Sequence, residues 1–134
     1  MVEDSGNAPG PKVGDKMEDG AVYAGISPHT NKPMYATPAD ASLTMTFNDA
    51  QKYAATLDAH GHKDWRVPTK AELNVLFNNR AAIGGFDEPG SFPAGWYWSS
   101  LQSGYYGLAW AQRYSDGYQY DILKSFDSSL RCVR

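Results

Sequence analysis

The sequence predicts an α+β domain in which two short helices pack on a twisted antiparallel sheet with an N-terminal hairpin. Apolar residues recur at helical spacing in 46–61 and again in 69–77. Residues 95–134 instead alternate like strands between Gly-rich turns, and residues 21–38 contain two short β-type runs separated by turn residues. Helices and antiparallel strands in separate parts of one chain are typical of α+β domains.

The length and charge of the chain limit its partners. Its 134 residues suit one domain with one core. The net charge of −3 argues against nucleic acid or an anionic membrane, because both demand clustered Lys and Arg. No apolar run approaches the ~18 residues that span a bilayer, and residues 1–20 lack the basic and apolar regions of a signal peptide. We therefore expect no nucleic-acid partner and no membrane insertion.

The N-terminal part divides at residue 19. Residues 1–19 are rich in Gly, Pro and charge and predict a flexible arm, and residues 20–134 predict the folded domain. The runs AVYAGIS (21–27) and PMYATP (33–38) predict a hairpin. The core contributors expected on its first strand are Val22, Tyr23 and Ile26.

Two helix starts carry capping signals. Thr46 with Asp49 is a variant of the capping box, and Thr69 with Glu72 has the full spacing after Pro68. We expect the first helix to end near Gly61. The predicted apolar faces are Phe47, Ala50, Tyr53, Ala54 and Leu57 on the first helix and Leu73, Leu76 and Phe77 on the second. Residues 78–93 are predicted to form a loop.

The terminal residues predict the sheet. WYWSS (96–100), LAWAQRY (108–114) and YQYDI (118–122) are predicted strands, and SLRCVR (129–134) closes the chain. The Asp-Gly pair in residues 115–117 predicts a type I′ turn, in which both central residues need positive φ.

Aromatic residues are concentrated in this terminal part. Ten of them lie between Trp96 and Phe126, in segments rich in Tyr, Ser, Gly and Asp. Rigid amphipathic rings combined with small polar residues are typical of recognition surfaces. Apolar residues in YQYDILKSF (118–126) do not alternate strictly, so some of them should face solvent and invite a partner. The alternative is that they cap a satellite core under the sheet.

The tryptophans and Arg66 have two interpretations each. Alternation places Trp96 and Trp98 on one face, where they could stack on sugars, but large rings in the strands of a small domain usually belong to the core. We therefore assign Trp96, Trp98 and Trp110 to the scaffold, together with Leu130 and Cys132. Arg66 is expected to make a structural ion pair or carbonyl contacts rather than hold a ligand.

No metal or cofactor site is predicted. Asp58, His60, His62 and Asp64 lie in a short polar turn, whereas zinc requires three or four convergent ligands with a second shell. Glu88-Pro89-Gly90 resembles the Glu-Pro-Asn sugar motif of calcium-dependent lectins but lacks its Asn.

No catalytic residue is predicted either. Cys132 is the only cysteine, so the chain can form neither an internal disulfide nor a reactive site that needs two cysteines. Ser99 and Ser100 have no nearby base in sequence. Nothing assembles a nucleophile, a base and an oxyanion site, so we expect a domain that is not an enzyme.

The motif DWRVPTKAEL (64–73) resembles the W-R-L/V-P-T-x-x-E-L signature of the Lcl C-terminal domain family, found at the end of a bacterial collagen-like adhesin. WYWSS, AWAQRYSDG and SSLRCVR resemble its terminal strands, and the resemblance covers residues 20–134. It implies a C-type lectin-like fold, related to the formylglycine-generating enzyme group, with ligand contacts from one sheet face and its loops.

The terminal pattern is also similar to the variable region of proteins diversified by retroelements. Those proteins are borne by phages or cell surfaces and vary at the end of a lectin-like domain. This resemblance implies adhesion to a cell-surface protein or glycan, on a phage virion or a cell surface. The alternative is an assembly module of a phage tail or adhesin, whose aromatic face packs against another subunit. The positions matched to the variable, ligand-binding residues are Gln102, Ser103, Tyr105, Tyr106, Tyr118, Tyr120, Ile122, Leu123 and Phe126.

Overall fold

The computed structural model describes residues 10–88 and 95–134, and its elements follow the predicted order. They are β1 (Val22–Ile26), β2 (Pro33–Ala36), α1 (Phe47–Thr56), α2 (Lys70–Asn78), α3 (Arg80–Ile83), β3 (Trp96–Gln102), β4 (Leu108–Arg113) and β5 (Gln119–Leu123). β1 and β2 form an antiparallel hairpin, and β3, β4 and β5 form a second antiparallel sheet in that order. The α+β class with an N-terminal hairpin is therefore confirmed.

Both predicted helix starts are confirmed by their caps. The Thr46 hydroxyl accepts a hydrogen bond from the Asp49 N–H at 3.4 Å. Thr69 accepts from the Glu72 N–H at 3.1 Å, and the Glu72 carboxylate accepts from the Thr69 N–H at 2.9 Å. These reciprocal bonds satisfy N–H groups that have no acceptor inside the helix. The helix ends are less well predicted.

The first helix ends earlier than Gly61. It stops at Thr56, because Leu57 is extended (ψ 123°) and packs against the core. Gly61 instead has a φ of 77° in the turn that follows, where Ala59 and His62 exchange backbone hydrogen bonds. The turn, rather than the helix end, uses the left-handed conformation that glycine favours.

The loop predicted over 78–93 contains an unpredicted helical turn, α3. Its four residues bury only Ile83, so they give no periodic signal. Residues 89–93 of that loop lie outside the described part of the chain.

The terminal sheet separates two clusters of buried side chains. On one face Trp98 is fully buried and meets Phe47 of α1 edge-on, with ring centroids 5.5 Å apart. On the other face Tyr97 lies 4.4 Å from Tyr114 and packs with Leu73 of α2. Alternation along β3 thus sends neighbouring aromatic residues into different clusters. Both faces of β3 are covered from Trp96 to Ser99, and the strand becomes exposed at Leu101 and Gln102.

The chain ending connects the two sheets. Trp98 N donates to Ser129 O at 3.1 Å, and Ser129 N donates to Trp96 O at 2.7 Å. A few residues later Arg134 exchanges backbone hydrogen bonds with Tyr35 of β2, at 2.8 and 2.9 Å. The segment predicted as a closing strand therefore makes isolated bridges to several elements instead of joining one sheet.

Part of the predicted arm contacts the domain. Gly14 N donates to Tyr23 O and Tyr23 N donates to Asp15 O, both at 2.9 Å. Lys16 pairs with Val22 as an isolated bridge. Residues 14–16 therefore lie along β1, and residues 1–9 are outside the described part of the chain.

The turn between β4 and β5 lies where Asp116-Gly117 predicts it, but the type I′ assignment is wrong. Gly117 has a φ of 85°, whereas Ser115 and Asp116 keep negative φ. Gly117 N donates to Arg113 O at 2.7 Å and closes a longer loop, which buries Tyr114 completely. A Cβ at Gly117 would approach the Phe77 ring to 2.5 Å, so packing on α2 shapes this turn.

One buried carboxylate holds the hairpin against α2. Glu72 is fully buried and accepts from Arg66 Nη1 at 2.5 Å, Arg66 Nη2 at 2.7 Å and the Ser27 hydroxyl at 2.5 Å. The ion pair expected of Arg66 is thereby confirmed. Burial opposes ionisation, but the hydrogen bonds from Arg66, Ser27 and Thr69 N outweigh it and lower the pKa of Glu72 to about 2.

The lowered pKa of Glu72 predicts acid sensitivity. A depressed native pKa adds stability above the ordinary value of 4.5, and this contribution is lost as the pH falls from there through about 2. The shift corresponds to about 3 kcal/mol. Urea unfolding of Glu72→Gln should therefore show a smaller loss of unfolding free energy between pH 5 and pH 2 than the wild type does.

Asp64→Asn is the matched control. Asp64 also forms an ion pair with an arginine, Arg134, at 2.7 Å, but its side chain is 65% exposed, so solvent screens the pair. This variant should follow the wild-type pH dependence closely. A Glu72→Gln profile parallel to the wild type would contradict the assignment.

Candidate functional site

The predicted recognition residues lie at one end of the terminal sheet and along its edge strand. Tyr106 is fully exposed and Tyr105 is 75% exposed in the loop between β3 and β4. Tyr118 and Tyr120 are each about half exposed on and beside β5, and Leu123 and Phe126 follow them with 45% and 42% exposure. Large exposed apolar side chains close together in a chain mark contact sites more often than single ones do. We call Tyr105, Tyr106, Tyr118, Tyr120, Leu123 and Phe126 the terminal surface.

Hydrogen bonds join the Tyr105–Tyr106 loop to β5. The Ser103 hydroxyl donates to the Asp121 carboxylate at 2.7 Å, and Lys124 N donates to Gly107 O at 2.9 Å. Within the loop, Leu108 N donates to Tyr105 O at 3.3 Å. The two tyrosines are therefore presented by a loop that is anchored at both ends. Ser103 serves as an anchor in this arrangement.

Gln102 and Lys124 form a polar link at the same end of the sheet. The Lys124 ammonium donates to the Gln102 side-chain oxygen at 2.5 Å. Phe126 N donates to Leu123 O at 3.0 Å, which turns the chain after β5. This turn brings Leu123 and Phe126 to the same end as the loop.

Tyr118 and Tyr120 form a stacked pair on the edge strand. Their rings are 5.7 Å apart and 27° from parallel. Arg113 lies 5.7 Å from the Tyr118 ring and pairs with Asp116 across the turn. Hydrogen bonds from Arg113 and from Tyr118 N lower the pKa of Asp116 to about 2, so its charge persists at neutral pH. Aromatic rings beside an arginine match the composition of interface hot spots.

Ile122 does not belong to the terminal surface. It is 7% exposed and lies in the cluster with Trp98 and Ala109. The reason is its register, because Ile122 pairs with Ala109 of β4 and shares its inward face. Leu123, its neighbour, points to the other face and is exposed. Ile122 is a scaffold residue.

The scaffold assignment holds for four of the five predicted residues. Trp96, Trp98, Leu130 and Cys132 are buried. Trp110 is only partly buried, since β4 turns it to the opposite face from Ala109 and Ala111, where the Lys70 ammonium lies 3.6 Å from its ring centroid. Burial raises the pKa of the Cys132 thiol to about 12, so this thiol stays neutral at physiological pH.

The His and Asp side chains of the polar turn form contacts with other elements. His62 Nε2 lies 2.8 Å from the Asp19 carboxylate, and His60 Nδ1 lies 3.1 Å from Asp19 O. Asp64 pairs with Arg134. Within residues 10–88 and 95–134, no group of three His, Cys, Asp or Glu could hold a metal ion.

The Glu88 motif is only partly described. Glu88 forms an ion pair with Arg80 at 3.1 Å. Pro89 and Gly90 lie outside the described residues. Among the helices that the structure describes, none is long and apolar enough to cross a membrane.

A buried ion pair that the sequence does not predict joins the chain ending to the segment after β2. Arg131 is fully buried, and its Nε donates to the Asp40 carboxylate at 2.9 Å. Its Nη1 donates to Thr37 O and Gly84 O, and its guanidinium lies 3.9 Å from the Phe86 ring centroid. An arginine between apolar residues in the ending LRCV is the only sequence signal of this burial.

The fold is an α+β domain with exposed aromatic side chains at one end of its terminal sheet and along the edge strand β5. The model of the Lcl C-terminal domain family matches residues 26–134, so the chain belongs to this family. The resemblance seen in the W-R-V-P-T motif is thereby confirmed. No curated protein matches the chain.

Proposed function

We propose that the domain is a non-enzymatic recognition module that binds a cell-surface protein or glycan through the terminal surface. The exposure of its tyrosines is the observation that carries this proposal. Tyr105, Tyr106, Tyr118 and Tyr120 are between 51% and 104% exposed, although each could bury a large apolar ring. Tyrosine gives large contact area at low cost in conformational entropy, which suits a binding face.

The hydrogen bonds that hold the backbone of these tyrosines in place favour the same function. The loop of Tyr105 and Tyr106 is bonded to β5, and β5 is bonded to β4 over five residue pairs. A surface already held in its binding conformation loses little entropy when a ligand binds. This arrangement is what a module for tight recognition requires.

We further propose that the terminal surface varies between copies of this protein through a retroelement, in a C-type lectin-like domain. Exposed side chains can change without disturbing the core, because surface substitutions usually alter stability by about 0.5 kcal/mol or less. Such a protein would act on a phage virion or a cell surface, where its ligand is encountered.

The DNA beside the gene provides the test. We expect a near-copy of the segment that encodes residues 102–126, differing mainly at adenines and lying next to a reverse transcriptase gene. Sequencing the segment in many isolates should show free variation at Tyr105, Tyr106, Tyr118 and Tyr120. Because Ile122 is buried, its replacements should be restricted to apolar residues of similar volume.

Two results would count against diversification. One is a terminal segment that is invariant among isolates. The other is variation that falls as often on buried Trp98 and Leu130 as on the exposed tyrosines, since the core could not accommodate it.

An assembly module of a phage tail or adhesin is the second candidate. The specific observation that favours it is that β5 is an edge strand with exposed Tyr120 and Leu123, and edge strands pair readily with other chains. Light scattering of the purified chain distinguishes the two candidates. A stable oligomer in which Tyr118 and Tyr120 resist chemical iodination favours assembly, and a monomer with reactive tyrosines favours recognition.

A further inference from the structure

A groove at the N-terminal end of α2 has the features of a second binding site. It has a volume of about 350 Å³ and lies between the β1–β2 turn, the first residues of α2 and the end of β3. This volume is near the lower end of the ~300–1,000 Å³ found for small-molecule sites. Its walls include Pro28, His29, Lys70, Ala71, Ser100 and Leu101.

The groove is preformed by the bonds around Glu72. The Ser27 hydroxyl donates to Glu72 and accepts from His29 N at 3.0 Å, which fixes the turn. Thr69 N donates to the same carboxylate, which fixes the start of α2. Ser100 N donates to Pro68 O at 2.8 Å and brings the end of β3 against them. Three separate segments are thus held around one space.

The charge of the groove differs from that of the whole chain. The chain has a net charge of −3, but the groove is lined by Lys70 and His29 and by no Asp or Glu. Lys70 forms no ion pair with any described carboxylate, and its ammonium rests 3.6 Å from the Trp110 ring centroid. Ser100 is a further polar residue of the lining. The polar groups of the groove therefore suit an anion.

The remaining wall is apolar. Pro28, Ala71 and Leu101 contribute it, and Leu101 is 47% exposed although it lies in a strand. An apolar wall beside a cation complements a ligand that has one acidic group and a short hydrocarbon part.

We infer that this groove binds an organic carboxylate, with its acidic group at Lys70 and its apolar part on Leu101. The site is separate from the terminal surface and does not depend on the function proposed for the tyrosines. A free short-chain acid and the C-terminal carboxylate of a peptide share this chemistry.

Titration of the full chain with hexanoate, followed by ¹H–¹⁵N chemical shifts, tests the inference. The backbone amides of Lys70, Ala71, Ser100 and Leu101 should shift with a Kd of about a millimolar, as expected for a ligand of this size. Hexanamide, which has the same shape without the charge, should bind about tenfold more weakly, because a charge-assisted hydrogen bond is lost.

Lys70→Met removes the ammonium but keeps an unbranched side chain that is only one atom shorter. It should reduce hexanoate affinity about tenfold and leave hexanamide affinity unchanged. The control Lys63→Met alters a lysine that is 81% exposed outside the groove, and it should bind like the wild type. Replacing all four exposed tyrosines with Ala should also leave hexanoate binding unchanged, which separates this site from the proposed function.

A second pair of probes distinguishes the two sources of the carboxylate. If N-acetyl-leucine binds more tightly than hexanoate and N-acetyl-leucinamide binds weakly, the ligand is a peptide C-terminus. If hexanoate binds more tightly than N-acetyl-leucine, the ligand is a free acid. Equal affinity for hexanoate and hexanamide would overturn the inference even if Lys70→Met failed to fold. Shifts at the groove no larger than those around Lys63 would overturn it too.

Discussion

Replacing Arg131 with methionine is expected to lower the free energy of unfolding by about 3–5 kcal/mol, the usual cost of breaking a buried ion pair. The substitution leaves the Asp40 carboxylate, which is only 18% exposed, without its cation. It also removes the donor of Thr37 O and Gly84 O. Tyr97 donates to the other oxygen of Asp40, so the loss extends into the core beneath β3.

Urea unfolding at pH 7 measures this loss of unfolding free energy. Two further variants test whether the buried ion pair causes it. Arg134→Met breaks the exposed pair with Asp64 and should cost about 1 kcal/mol or less. Arg131→Met combined with Asp40→Asn should recover part of the loss, because no uncompensated carboxylate remains in the interior. Similar losses for Arg131→Met and Arg134→Met would contradict the role given to the buried pair.

The parts of the fold that depend on neighbours in sequence could be predicted. The Thr46 and Thr69 caps each need only residues within one helical turn, and both helices begin where these signals indicate. The N-terminal hairpin likewise follows from two short runs and the turn between them. Local chemistry determines these features, so a single sequence contains the necessary information.

Features set by distant contacts could not be predicted. Asp40 and Arg131 meet across 91 positions, and no spacing rule relates them. The β4–β5 turn departs from type I′ because Tyr114 is buried and Gly117 packs against Phe77 of α2. The helical turn α3 is too short to show a period. In each case tertiary packing overrides the local preference.

In the candidate site, too, some features could be predicted from the sequence and others depend on contacts between distant residues. The resemblance to the variable region selects Tyr105, Tyr106, Tyr118 and Tyr120, and these four tyrosines are exposed, whereas Tyr97 and Tyr114 of the same terminal part are buried. The opposite orientations of Ile122 and Leu123 depend on the pairing of β5 with β4, which the irregular apolar pattern did not reveal. The size of Trp110 predicts a core position, although its place in β4 turns it toward Lys70.

The terminal surface should tolerate replacement of its side chains and should determine what the domain binds. Replacing Tyr105, Tyr106, Tyr118 and Tyr120 with Ala removes one ring stack, the contact of Arg113 with the Tyr118 ring, and side chains that are at least half exposed. We therefore expect the unfolding free energy to fall by about 2 kcal/mol or less. Binding through these rings should instead fall by at least about a hundredfold, because hot-spot aromatic residues contribute about 2 kcal/mol or more each.

A displayed library tests this division between scaffold and surface most directly. The six positions of the terminal surface are randomised, and the library is selected against one unrelated protein, such as lysozyme. A control library randomises six exposed positions on the first half of the domain, at Asn31, Lys32, Leu43, Asn48, Lys52 and Lys63. The account predicts folded clones in both libraries, but tight binders only from the terminal-surface library, each losing its affinity when its selected aromatic residues are changed to Ala. Unfolded clones throughout the terminal-surface library, or binders arising equally from the control, would contradict it.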